Sequence, residues 1–157
     1  EPLWLTKPKW YHNSNIIREI YSLIDLSEEI ISTTKIVGVN FGLNKKLLVE
    51  EAHFNEELGR RPGSLLGGEE SDLCKRTLKK GFEIYYTPKA IVKHQIQKER
   101  MSLFWIMRRF YYGWYGKALI GGMPKTYSSK RNVYDKLILP IIIIPYAIGY
   151  IKGRMIR

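Results

Sequence analysis

Gly59-Arg60-Arg61-Pro62-Gly63-Ser64-Leu65-Leu66-Gly67-Gly68, running directly into Glu69-Glu70-Ser71-Asp72-Leu73-Cys74-Lys75-Arg76, is the stretch on which the reading of this chain turns. Its first ten residues hold four glycines and a proline, a composition that opposes regular structure and favours a mobile loop. The pattern then changes. Between residues 70 and 80, Leu73, Cys74, Thr77 and Leu78 fall on one helical face, acids stand at the start, and Lys75, Arg76, Lys79 and Lys80 stand toward the end. Gly81 supplies a C-terminal stop, so the spacing predicts a helix over 70–80.

The chain has four Glu-Glu pairs, and three of them, 28–29, 50–51 and 56–57, lie in polar sequence where a solvated surface explains them. Glu69-Glu70 sits instead where a glycine-rich loop enters a helix, and free backbone N–H groups and the helix dipole attract a carboxylate there. A carboxylate beside a loop that admits a hydroxyl substrate has the placement of a general base. The plainer alternative, a pair of acids capping a helix, weighs about equally on spacing alone. Gly63 to Gly68 has the glycine spacing of a phosphate loop, but Glu69 and Glu70 stand where Lys and Ser or Thr are required, so a nucleoside-triphosphatase is excluded. No GxGxxG, HExxH or GxSxG is present.

Outward from this centre, residues 16–24 carry apolar side chains at helical spacing, and 45–52 read as a second short helix. Ile36 to Val39 reads as a buried strand, Phe82–Tyr86 and Ala90–His94 as two short strands separated by Pro88, and 102–119 as a long amphipathic helix. His94, at the end of a predicted strand, could meet the acid pair as a metal ligand, although a hydrogen-bonded histidine at a strand end is the commoner outcome. His12 and His53 have no acidic context.

With 157 residues and 45% hydrophobic composition the chain can bury one ordinary core. Cys74 is its only cysteine, which excludes an internal disulfide and a Cys-rich zinc site and suits a reducing compartment. It opens on Glu1 with no signal-peptide pattern, and the expectation is a segment of something longer. The net charge of +11 is uneven: residues 1–99 hold 15 Lys and Arg against 14 Asp and Glu, and residues 100–157 hold 11 against Asp135 alone. That basic end is also rich in Trp, Tyr and Phe and contains the apolar run Leu137–Ile151. Basic, aromatic and apolar together point to an anionic membrane surface, and the absence of zinc, helix-turn-helix or RNA-binding signatures speaks against nucleic acid.

Several of these stretches, taken in order, resemble the family-two glycosyltransferases of GT-A fold. Val37-Gly38-Val39-Asn40-Phe41-Gly42, then Phe54-Asn55-Glu56-Glu57, is similar to the family's strand ending in Gly-x-Asn and its Gly-Phe-Asp-Glu-like turn. Gly67-Gly68-Glu69-Glu70-Ser71-Asp72-Leu73 resembles the acidic motif, and Lys80 to Pro88 and Ala90 to His94 continue the order. The likeness runs from about Glu1 to Ala118. It implies an α/β fold, the C-terminal half of a GT-A nucleotide-sugar transferase over residues 1–99, followed by a membrane-associated helical tail over 100–157. It further implies that Glu70 is the catalytic base, that Glu69 and Asp72 support it, that Asn40 lies at the sugar site, and that His94 completes the coordination of a divalent cation, Mn²⁺ or Mg²⁺. The implied partners are a nucleotide-sugar donor, a lipid-linked or glycan acceptor and the cytoplasmic face of a membrane. The chain's only aspartates are Asp25, Asp72 and Asp135, so the family's Asp-x-Asp motif belongs to a preceding half and the chain alone is expected to be inactive. Gln97 and Arg100 match the processive Gln-x-x-Arg-Trp motif without its Trp, which favours addition of a single sugar.

As a helix, Leu137–Ile151 would extend about 22 Å, short of the roughly 30 Å hydrocarbon core. Pro140 and Pro145 should break it, and Lys and Arg flank it on both sides. A re-entrant or interfacial segment follows from this, with a buried helix as the other possibility. The competing function is a non-enzymatic membrane-surface module in which Glu69-Glu70 merely caps a helix.

Overall fold

The computed structural model describes residues 13–44, 53–122 and 133–156. The helix expected over 45–52, the motif at Glu1–Leu5, His12, and Lys130 and Arg131 lie outside the described residues.

The α/β GT-A domain is not what the chain forms. Among the described residues 52% are helical and 3% lie in strands, and the sheet has two strands. These are β1 (Ile31–Ser32) and β2 (Tyr85–Tyr86), paired antiparallel with Ile31 opposite Tyr86 and Ser32 opposite Tyr85. The expected strand at 36–39 does not form, and residues 38 and 39 lie in a turn closed by Asn40 N–H donating to the Val37 carbonyl at 3.0 Å. No strand forms over 90–94, where Ile91 is 81% exposed. β-branched residues favour strands only where neighbouring strands cover their faces, and a two-residue ladder offers no such cover.

Among the described residues the α-helices are α1 (Asn15–Ile20), α2 (Glu69–Lys79), α3 (Leu103–Leu119) and α4 (Val133–Ile156). Helix α1 starts at Ser14, whose hydroxyl accepts from Ile17 N–H, and stops several residues before the expected end at 24. Helix α2 matches the expected span and ends before Gly81, whose φ of +83° only glycine adopts without strain. Helix α3 starts as expected after Ser102, which accepts from Trp105 N–H at 3.2 Å. Its C-terminus is closed from α2: Lys75 Nζ donates to the Ile120 carbonyl at 2.6 Å and reaches those of Gly121 and Gly122, a cation at the negative end of a helix.

Helix α4 departs furthest from expectation. It runs unbroken through Pro140 and Pro145, and it is the one helix among the described residues long and apolar enough to cross a membrane by length and composition. It packs along α3. A Cβ at Gly149 would collide with the Tyr111 carbonyl, and one at Gly153 would come within 2.7 Å of both the Tyr115 carbonyl and the Ala118 side chain. Trp114 meets Tyr146 with ring centroids 4.0 Å apart and Tyr150 at 6.2 Å. Partner numbers rise together, so α3 and α4 run parallel. Their backbones approach through Gly149-x-x-x-Gly153, the small-residue spacing that allows close helix contact.

The core draws on Ile17 and Tyr21, on Ile96, on Ile106 and Phe110 of α3, and on Ile142 of α4. Asp135, fully buried in the first turn of α4, accepts from Ser14 Oγ at 2.7 Å and from Ile16 N–H at 3.1 Å. The last acid in the sequence therefore fixes the N-terminus of α1, and its hydrogen bonds satisfy a carboxylate that would be costly to bury bare.

Candidate functional site

Helix α2 begins on Gly68, whose φ of +135° turns the chain from the glycine-rich loop into the helix. Gly68 has no side chain to cap the first turn, and Glu69 folds back so that Oε2 accepts from Gly68 N–H at 2.8 Å. The Glu70 carboxylate does something else. It lies against Gly38, where a Cβ would overlap Oε1 and come within 2.7 Å of the carboxyl carbon. The turn at 37–40 and the start of α2 thus meet at a glycine and a carboxylate.

The loop from 59 to 68 is irregular, as its composition dictates, and α3 holds it in place. Arg108 Nη2 donates to the Gly63 carbonyl at 2.8 Å and Arg109 Nη1 to that of Leu65 at 3.2 Å. Leu66 is buried, and Gly116 leaves room for the Gly67 carbonyl, which a Cβ there would strike. Arg109 also joins the electrostatics of the acid pair. Burial, and then the Arg60 charge, push its guanidinium below the usual range, while Glu70 and Glu69 hold it up and Arg100 adds to the lowering. The acids therefore stand in a field set by several arginines.

The expected site residues divide. Glu69 and Glu70 share the helix start with the loop and Arg109, whereas Asp72 pairs with Arg76, Oδ2 to Nε at 2.8 Å, on the helix surface. Arg76 in turn donates to the His53 carbonyl at 2.6 Å, so Asp72 positions the segment that follows residue 52. Asn40 Nδ2 donates to the Ala90 carbonyl at 2.6 Å and lines a cleft of about 580 Å³. Leu73, Cys74 and Thr77 of α2 form part of its wall, and Val37 and Val39 on either side of Gly38 form another part. Glu70 does not line this cleft, and it meets the cleft wall through Gly38. Cys74 donates to the Thr34 carbonyl at 3.1 Å, and burial pushes its thiol up from 9.0 to about 11, which makes it a poor nucleophile at neutral pH.

His94 Nδ1 lies 2.9 Å from the Tyr21 carbonyl, which fixes that nitrogen as the donor and leaves the Nε2 lone pair for another partner. That tautomer suits one metal ligand. Among the described residues no three His, Cys, Asp or Glu side chains come together as a metal set.

Two features escaped the sequence reading. The Gly38–Glu70 contact had only the glycine itself as a signal, and Arg108 and Arg109 carried none beyond their charge. No protein-family model, curated protein or solved structure matches the chain.

Proposed function

We propose that the chain supplies the acceptor-side residues of a glycosyltransferase that moves a sugar from a nucleotide-diphosphate donor to a hydroxyl of a lipid-linked or glycan acceptor at the cytoplasmic face of a membrane. The helical architecture removes the GT-A sheet as a frame, so the proposal rests on the acid pair, its neighbours and the resemblance of the motifs around it. The observation that carries it is the division of labour between the two glutamates. Glu69 is committed to the Gly68 N–H, while Glu70 projects onto the 37–40 turn beside the loop and Arg109.

In the proposed step Glu70 takes the proton of the acceptor hydroxyl as its oxygen attacks the anomeric carbon. The bond to the nucleoside diphosphate breaks with inversion, and the leaving group departs with the electron pair. Glu69 and Asp72 act by position, the first by holding the helix start and the second through Arg76. Asn40 anchors the turn that carries Gly38. A divalent cation, when bound, would neutralise charge on the departing diphosphate, with His94 as this chain's one contribution to its coordination. The remaining ligands, and the residues that hold the nucleotide, would come from outside the described residues, and the chain alone would not turn over.

The second reading, a membrane-surface module without catalysis, is favoured by the same Glu69 bond, since capping is all that a structural acid pair would do. Glu70 separates the two. In the intact enzyme Glu70→Gln should abolish transfer and leave nucleotide-sugar binding nearly unchanged, because the amide keeps the shape and loses the base; Glu69→Gln should be milder. Equal losses of donor affinity and turnover in Glu70→Gln would make the residue a donor ligand and sink the assignment.

A further inference from the structure

The outer face of α4 is apolar along its whole length. Leu137, Ile141, Ile144, Ile148, Ile151 and Met155 alternate at spacings of four and three residues and are between 45% and 82% exposed. Such spacing keeps one straight stripe on a helix, here about 27 Å long at 1.5 Å per residue. The opposite side of the helix is occupied by α3, with Gly149 and Gly153 against its backbone. Lys136, Lys152 and Arg154 are exposed and fall on the two borders of the stripe. Leu103 and Phe104, at the start of α3, are also exposed, at 56% and 70%.

Two occupants could cover such a stripe, and charge decides between them. A second copy packed stripe to stripe would set bordering lysines and arginines against their like. The one acid of α4, Asp135, is buried and bonded to Ser14, so it cannot answer them. An anionic lipid surface matches both the apolar stripe and the cationic borders. The helix is long enough to cross a bilayer, but its partner prevents it. Arg108 and Arg109 of α3 stand about one turn before Tyr111 and Lys117 stands beyond Tyr115, so a crossing α4 would draw these charges, and the 63–65 loop that the arginines hold, into hydrocarbon.

We propose that α4 lies in the plane of an anionic membrane, with the Leu137–Met155 stripe immersed, the bordering cations among the headgroups, and α3 on the aqueous side. This deepens the membrane part of the reading above and is independent of glycosyl transfer. It also sets an orientation, with the glycine loop that Arg108 and Arg109 hold carried by α3 on the aqueous side of the stripe.

The test uses the full chain and vesicles of phosphatidylglycerol mixed with phosphatidylcholine, with vesicles of phosphatidylcholine alone as the reference. Co-sedimentation should favour the anionic vesicles at least tenfold, and Lys136→Gln with Lys152→Gln and Arg154→Gln should remove most of that preference. Ile144→Asp with Ile148→Asp should abolish binding, and an unchanged circular dichroism spectrum and melting temperature would show that the fold survives these outward substitutions. Depth then distinguishes lying from crossing. Spin labels placed singly by Leu137→Cys, Ile144→Cys, Ile151→Cys and Met155→Cys should report one common shallow depth. A deepest label at position 144 with 137 and 155 near opposite surfaces would overturn the in-plane placement. So would a stable dimer in solution that ignores vesicles of either kind.

Discussion

The carboxylate of Glu70 rests on the backbone of Gly38, closely enough that a methyl group at position 38 would occupy the place of Oε1. The obstacle is the far end of a flexible side chain, and Gly38 has no left-handed φ that would penalise a larger residue. Gly38→Ala should therefore cost stability by no more than about 1 kcal/mol while it moves the carboxylate. Transfer should fall toward the level of Glu70→Gln with the melting temperature nearly unchanged. A variant with parental turnover would show that the position of this carboxylate is immaterial.

The glycines between α3 and α4 should behave in the opposite way. At Gly149 the obstacle is the Tyr111 backbone, and at Gly153 the Tyr115 carbonyl and Ala118, none of which can rotate aside. Gly149→Ala is expected to destabilise the pair by about 1–3 kcal/mol, the usual cost of overpacking, less whatever the better helix propensity of alanine returns. Chemical denaturation in lipid-like micelles measures it. A stabilised variant would mean that the two helices do not approach at this point.

Asp135 supplies a third case. Its carboxylate accepts from Ser14 Oγ and Ile16 N–H inside the protein. Asp135→Ala strands the buried Ser14 hydroxyl and the part-buried Ile16 N–H and should cost about 1–3 kcal/mol. Ser14→Ala in the same background should still lose the α1 cap but cost less than in the parent, because the Ser14–Asp135 bond is already gone, and a double-mutant cycle reads that coupling. Fully additive effects would contradict it.

Helix α2 was legible because every signal agreed: acids first, an apolar face through Leu73, Cys74 and Thr77, cations last, and Gly81 beyond. Helix α3 was legible from its amphipathic pattern over 102–119. The sheet was misread because Val37, Val39, Ile91 and Val92 look like core residues in isolation, yet Val39, Ile91 and Val92 are exposed and no neighbouring strands cover them. Asp135 could not be anticipated, since its partner Ser14 is 121 positions away. In the tail the apolar run was ended at Ile151, which left Gly153 outside and hid the Gly149–Gly153 spacing. The two prolines were read as breakers, although α4 continues past both. At the site, the position of the acid pair between loop and helix was legible, and the contact of Glu70 with Gly38 was not, because it depends on where residue 38 comes to lie.

Cys74 gives a pH-dependent expectation. Its thiol is raised from 9.0 to about 11 by burial, so the fold favours the protonated form. The associated stability is fully present below pH 9 and is lost as pH rises through 11, by about 2.7 kcal/mol at most. Alkylation of Cys74 in the folded protein should stay slow at neutral pH, and the parent should lose stability relative to Cys74→Ala across that window. Rapid labelling at pH 7 would place the thiol in solvent.

The most direct test of the central claim is transfer by Glu70→Ala in the intact enzyme, measured with and without added formate. Loss of a general base predicts a fall of about 10²- to 10⁴-fold, and partial recovery as formate, a small free carboxylate, fills the vacated space and takes the proton. Parental turnover in Glu70→Ala without formate would contradict the assignment of Glu70 as the base.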